Sequence, residues 1–141
     1  VESLNISRRR CFTGWRSDVG RMIGLHLDSW EGEGVSHRRE HSLMRISLNV
    51  GTQARKLFVV PRGLQGLQKE LGEVPAIDDS AFAHAVMSNT LTTGPSVLEI
   101  SIPEGAGYIA MTDYLIHDGR TSEQEALDIR FDMRACLRAV L

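Results

Sequence analysis

Apolar and polar residues change their rhythm along this chain. Trp15, Val19, Met22, Ile23 and His26 recur at helical intervals and predict an amphipathic helix with one apolar stripe. Gly20 and Gly24 interrupt it, each costing about 1 kcal/mol relative to Ala, so this helix would rely on packing. After a loop through residues 31–34, Met44, Ile46, Leu48 and Val50 alternate with polar positions, the period-2 sign of a half-buried strand. Residues 56–60 predict the next strand, stopped by Pro61. Leu64, Leu67 and Leu71 then space a short amphipathic helix that ends at Gly72. Asp79 or Ser80 caps a second short helix over residues 81–85.

From Val86 onward the pattern turns β-rich. Residues 97–103 and 108–111 form two such runs around the turn Glu104-Gly105-Ala106-Gly107, and Ile129, Phe131 and Met133 alternate near the end. Helices first and strands later predict an α+β fold, with a helical and mixed part over residues 1–55 and a β-rich core over residues 56–141.

The 141 residues fit one domain with a core of its own, and 42% hydrophobic with 24% charged content is ordinary for a globular chain. No run approaches the roughly 18 apolar residues that span a bilayer. The absence of an initiator Met predicts a truncated or processed chain. A net charge of −2 and one short basic run, Arg8 to Arg10, predict no nucleic-acid partner. Only Lys56 and Lys69 are lysines, so nearly all cations are arginines. Cys11 and Cys136 lie near opposite ends and read as free thiols.

Chemistry concentrates late in the chain. Glu123 and Glu125 are two residues apart, so in an extended segment both carboxylates face one side. Upstream stand Ser88-Asn89-Thr90, and Arg62-Gly63 at the end of the strand before the first leucine-spaced helix. An arginine after a strand, a serine triplet and a Glu-x-Glu pair, in that order, resemble the arginine–serine–glutamate class of mono-ADP-ribosyltransferases, which includes cholera-toxin-like toxins and bacterial effectors. The resemblance covers about the last three-fifths of the chain.

It implies two small crossed sheets with N-terminal helices, NAD as the substrate in the cleft between them, and transfer of ADP-ribose to an arginine of a target protein. Glu125 would face the oxocarbenium-like ribose that develops as nicotinamide leaves, and Glu123 would orient the target guanidinium. Arg62 and Gly63 would hold the dinucleotide, Ser88 would orient the nicotinamide ribose, and Thr90 would brace the sheets. Residues 112–122 would form the substrate-recognition loop. The resemblance also implies a secreted, monomeric toxin or effector acting in a host cell.

The sequence departs from the family at Pro61, at Asn89 and in the short segment 91–96, which holds no aromatic; Tyr108 or Tyr114 would have to pack on the nicotinamide. A second reading is therefore the same fold without turnover, as a protein-binding module. A third is zinc peptidase chemistry through His37-Arg38-Arg39-Glu40-His41, which matches H-x-x-E-H. His84 and His117 find no partner in the sequence pattern.

Overall fold

The fold comes from a computed structural model that describes residues 2–7, 15–16, 21–22, 24–28, 43–71, 96–121 and 127–136. Its strands are β1 (Glu2–Ser7), β2 (Trp15–Arg16), β3 (Arg21–Met22), β4 (Met44–Asn49), β5 (Arg55–Gly63), β6 (Leu98–Ile102), β7 (Gly107–Ala110), β8 (Leu115–Thr121) and β9 (Asp128–Ala135). One helix, α1 (Leu64–Leu71), is the only one among the described residues. The α+β expectation is thereby overturned: nearly every described element is antiparallel strand.

The expected helix over 15–26 is not there. Trp15 and Arg16 pair with Met22 and Arg21 as a short antiparallel ribbon, and Gly24 adopts φ +67°, a backbone conformation no helix contains. The two glycines carried more information than the apolar spacing. Downstream, α1 forms where leucine spacing predicts it, with Leu64 and Leu67 buried. β5 runs past Pro61 to Gly63, its register shifting between Val59 and Gly63 so that the proline sits at an irregularity in the ladder. Residues 112–122, expected as a loop, instead supply β8 from Leu115 to Thr121.

Besides the β2–β3 ribbon, two larger sheets result, one with strand order β1-β9-β4-β7 and the other with β6-β5-β8. His26 extends the second by an antiparallel bridge to His117, so residues 24–28 flank β8 opposite β5. The chain crosses between sheets at β4–β5, β6–β7 and β8–β9. The runs around Gly105 are thus not a hairpin: β6 pairs with β5 and β7 with β4. This strand order and crossing is that of a double-sheet jelly roll.

Asn49 fixes one crossing. Its Nδ2 donates to Gln53 O at 2.7 Å and to Ile102 O at 3.0 Å, while its Oδ1 accepts from Gly51 N at 3.2 Å. The side chain therefore closes the 49–53 turn and ties it to β6. The apolar core of Leu27, Val60, Leu64, Leu67 and Ile116 lies where α1 covers the smaller sheet, with Leu25 and Tyr114 against it. Between the sheets, polar side chains line the space together with Leu57 and Ile102.

Candidate metal centre

Residues 25–28 read Leu-His-Leu-Asp, and extended backbone sends alternate side chains to opposite sides. Leu25 and Leu27 pack on the apolar core, whereas His26 and Asp28 project to the opposite side, where Asp28 meets Arg45 and Arg134 of the larger sheet. The backbone locks the segment in place: His26 N donates to His117 O and His117 N to His26 O, both at 2.9 Å, and Asp28 N donates to Thr112 O at 3.0 Å. His26 and His117 become neighbours across the bridge, with ring centroids 4.8 Å apart.

Both imidazoles are fixed in the same tautomer. Nδ1 of His26 donates to Gly24 O at 2.6 Å and Nδ1 of His117 donates to Leu115 O at 3.0 Å. A carbonyl oxygen only accepts, so each Nδ1 carries the proton and each Nε2 presents a lone pair when the ring is neutral. His26 Nε2 lies 3.7 Å from Asp28 Oδ1, and His117 Nε2 lies 3.8 Å from Asp28 Oδ2. His117 Nε2 is buried with no hydrogen-bond partner. Such a lone pair has given up water for nothing, a cost that a bound ion would remove. One donor atom from each of the three residues falls within 4.8 Å of the others.

Electrostatics set the protonation. Burial opposes charge on His26, but its hydrogen bonds to Asp28 and Gly24 outweigh burial and raise its pKa. His117 is pushed down to about 4, by burial first and by the neighbouring His26 against the opposing pull of Asp28. Burial alone would raise the Asp28 carboxyl; His26, His117 and Arg45 overcome it and hold the group well below the usual carboxylate range. The metal-free cluster thus sets an ionised Asp28 beside one imidazole whose pKa is raised and one whose pKa is lowered to about 4.

Two arginines of the larger sheet hold the carboxylate and a third pairs with Asp132 close by. Arg134 ion-pairs with Asp28 and donates to Asp113 at 3.1 Å. Arg45 Nη1 reaches Asp28 Oδ2 at 3.1 Å and its Nε faces Asp132 Oδ1 at 3.7 Å. Arg130 donates to Asp132 at 2.6 Å. His117 also forms a wall of a small cleft, partly open to solvent, between the sheets. Arg45, Arg55, Arg130, Tyr108 and Asn49 line it as well. Burial lowers the Arg130 pKa, and Arg45 and Arg55 add repulsion against the pull of Asp132. The crowding of cations leaves this cavity suited to an anion.

Of the residues expected to bind NAD, Arg62 and Gly63 end β5. Arg62 is exposed and is not among the cavity-lining residues. Gly63 packs beneath the Tyr114 ring, where a Cβ would come within 2.3 Å of Cε1. Tyr114 therefore serves that packing, and Tyr108 lines the cationic cavity. Ser88, Thr90, Glu123 and Glu125 lie outside the described residues, as do His37, Glu40, His41 and His84. His26, Asp28 and His117 were missed as a site. The alternation of Leu25-His26-Leu27-Asp28 was the available signal, obscured by assigning His26 to a helical stripe.

No protein-family model matches the sequence, and neither does any curated protein. One solved structure is similar in fold: a Kdo hydroxylase, a non-heme Fe(II) α-ketoglutarate-dependent dioxygenase, in complex with succinate and Fe(III), with a TM-score of 0.53 and 14% identity. The match covers 94% of this chain and 50% of that one, so the chain spans about half the length of the protein it resembles. This likeness, with the antiparallel topology, overturns the ADP-ribosyltransferase resemblance and the transferase activity and toxin role drawn from it. A His–Asp–His cluster suited to a metal replaces NAD as the candidate cofactor chemistry.

Proposed function

We propose that this domain is a non-heme iron oxygenase module that uses a 2-oxo acid as co-substrate. The carrying observation is the convergence of His26 Nε2, His117 Nε2 and an Asp28 oxygen, with both Nδ1 atoms fixed on backbone carbonyls. Two imidazoles and one carboxylate with further positions open suit ferrous iron. Atoms bound to one ion at about 2.1 Å lie no more than about 4.2 Å apart; the 3.7 and 3.8 Å approaches are to the two different oxygens of Asp28, and one donor atom from each residue lies within 4.8 Å of the others, close to that limit.

Charge supports the co-substrate class. Around the cluster, the carboxylates of Asp28, Asp113 and Asp132 balance the guanidiniums of Arg45, Arg130 and Arg134. A divalent cation would add two positive charges beside a cavity already lined by arginines. A dianionic acid would offset them. The similarity to an α-ketoglutarate-dependent dioxygenase points the same way.

His26, Asp28 and His117 would hold the metal, and Arg45, Arg55 and Arg130 would orient the acid from the cavity wall. Bound iron supplies the dioxygen chemistry, which protein side chains lack. The chain's part is to exclude competing ligands, fix both imidazole tautomers and keep Asp28 ionised. The test is anaerobic titration with ferrous iron, followed by aerobic incubation with 2-oxoglutarate. One iron per chain and iron-dependent formation of succinate are expected, and Asp28→Ala should lose at least about 100-fold in iron affinity. A parent protein that binds no ferrous, manganous or zinc ion would reduce the cluster to a structural ion-pair network and sink this reading.

A further inference from the structure

Arg45 and Arg134 stand directly opposite one another on β4 and β9, an arrangement in which like charges repel. Asp28 holds them together: Arg134 ion-pairs with its Oδ2, and Arg45 Nη1 lies 3.1 Å from the same oxygen. The two guanidiniums are anchored differently. Arg134 is caught at its other arm, where Nη1 donates to Asp113 Oδ1 at 3.1 Å. Arg45 Nε is buried and donates no hydrogen bond, and it faces Asp132 Oδ1 from 3.7 Å. Asp132 lies two residues before Arg134 on the same face of β9, and Arg130 donates to its Oδ2 at 2.6 Å. An approach of about 0.8 Å would turn the Arg45–Asp132 pair into an ordinary hydrogen bond. Burial opposes the charge on Arg45, and Asp28 leads the groups that sustain it and raise its pKa. Arg45 also lines the anion-suited cleft, whereas Arg134 is not among its lining residues.

We propose that Arg45 is a positioning residue with two seats: it stands in as a counter-ion of Asp28 in the metal-free protein and is handed to Asp132 when a metal takes that carboxylate. The inference rests on the metal reading above and adds how an arginine already engaged in ion pairs becomes available to the acid. With an ion on Asp28, that carboxylate no longer offsets both guanidiniums, and the ion and Arg134 together repel Arg45. Arg134 stays, because Asp113 grips its other arm. Arg45 has a second seat within reach, and taking it satisfies the buried Nε–H. The same movement releases Nη1 from Asp28 toward the cleft, so the anion site would assemble only after the metal.

The probe is Zn(II), which is diamagnetic, and the first readout is the Arg45 Nε–H resonance of the parent protein, assigned by its loss in Arg45→Lys. On saturation with Zn(II) this proton should move downfield and exchange with water at least about tenfold more slowly, as it enters a hydrogen bond to Asp132. Zinc affinity is the second readout. Arg45→Met removes the competing cation and should bind Zn(II) at least about tenfold more tightly. Asp132→Asn takes away the second seat and should weaken Zn(II) binding in the parent but much less in Arg45→Met. A long-range effect of the lost charge would instead be the same in both backgrounds. The resonance is read in the parent, so the test stands even if a variant fails to fold. A zinc-loaded parent with an unmoved Arg45 resonance, or equal effects of Asp132→Asn in the two backgrounds, would overturn the handover and leave the metal centre standing. Zn(II) binds such donor sets more tightly than ferrous ion, so a parent that takes up no Zn(II) would overturn the metal centre and this inference with it.

Discussion

The two faces of the four-stranded sheet carry opposite chemistry, and the usual rule would assign them the wrong way round. One face presents Leu4, Ile6, Met44, Ile46, Leu48, Ile109, Ile129, Phe131 and Met133, residues that the strand registers place side by side. The other presents Arg45, Ser47, Asn49, Tyr108, Asp128, Arg130, Asp132 and Arg134. The polar face points into the jelly roll, where Ser47 and Asn49 are only 2% exposed. On the apolar face, Leu4 and Ile6 are each 61% exposed and Ile109 57%. An interior built of paired ions is expensive in desolvation and tolerable only when its members are matched. A sheet that buries charge while its apolar side stays exposed is organised around a site rather than around maximal burial.

The comparison breaks most visibly if half of an inner pair is removed. Arg55 and Asp128 form a buried ion pair between β5 and β9. Arg55→Met should cost about 3–5 kcal/mol in denaturant unfolding, by stranding Asp128. The double variant with Asp128→Leu should recover most of that loss. If the single variant is as stable as the parent, the inner face is not held by paired charge.

Acid acts on the inner side next. Below pH 6.5 the unfolded chain protonates the His117 imidazole, whereas the folded chain keeps it neutral down to about pH 4. The unfolded state then binds more protons, so metal-free stability falls as the pH drops through that window, by on the order of 3 kcal/mol. His26 works in the opposite sense, because its raised pKa adds stability below pH 6.5 that is lost as the pH climbs past the folded value. His117→Gln should flatten the acid side of the profile. A slope unchanged by that substitution would place the proton elsewhere.

Asn49→Ala should cost about 2 kcal/mol, since it leaves the Gln53 and Ile102 carbonyls and the Gly51 N–H without their side-chain partner. Equilibrium unfolding measures this directly. The smallest effect belongs to the outer face, where Leu4→Thr and Ile109→Thr should each change stability by less than about 0.5 kcal/mol. Losses above 2 kcal/mol there would show that this face is covered in the folded protein and that the contrast between faces is false.

Strand pattern was legible where local rules suffice. The alternations Met44-Ile46-Leu48 and Ile129-Phe131-Met133 mark β4 and β9, and the leucine spacing marks α1. Period-2 alternation says that one face differs from the other, but not which face turns inward. That depends on what the second sheet brings opposite, here Arg55 to Asp128 and His117 to the arginines. The helix expected over residues 15–26 failed because apolar spacing can match a helix by chance while Gly20 and Gly24 argue against one.

The candidate site was the least legible part. His26 and His117 are separated by most of the chain, and only an isolated bridge makes them neighbours. Local sequence determined that 25–28 would alternate if extended, that α1 would be a short amphipathic helix, and that nearly all cations would be arginines. Tertiary structure alone decided that Asp28 meets two imidazoles and the Arg134 guanidinium, and that the polar side of β4 and β9 faces inward. The reason is physical: periodicity reports contacts within a strand, whereas a metal centre depends on Coulomb and hydrogen-bond geometry between strands that only the jelly-roll crossings bring together.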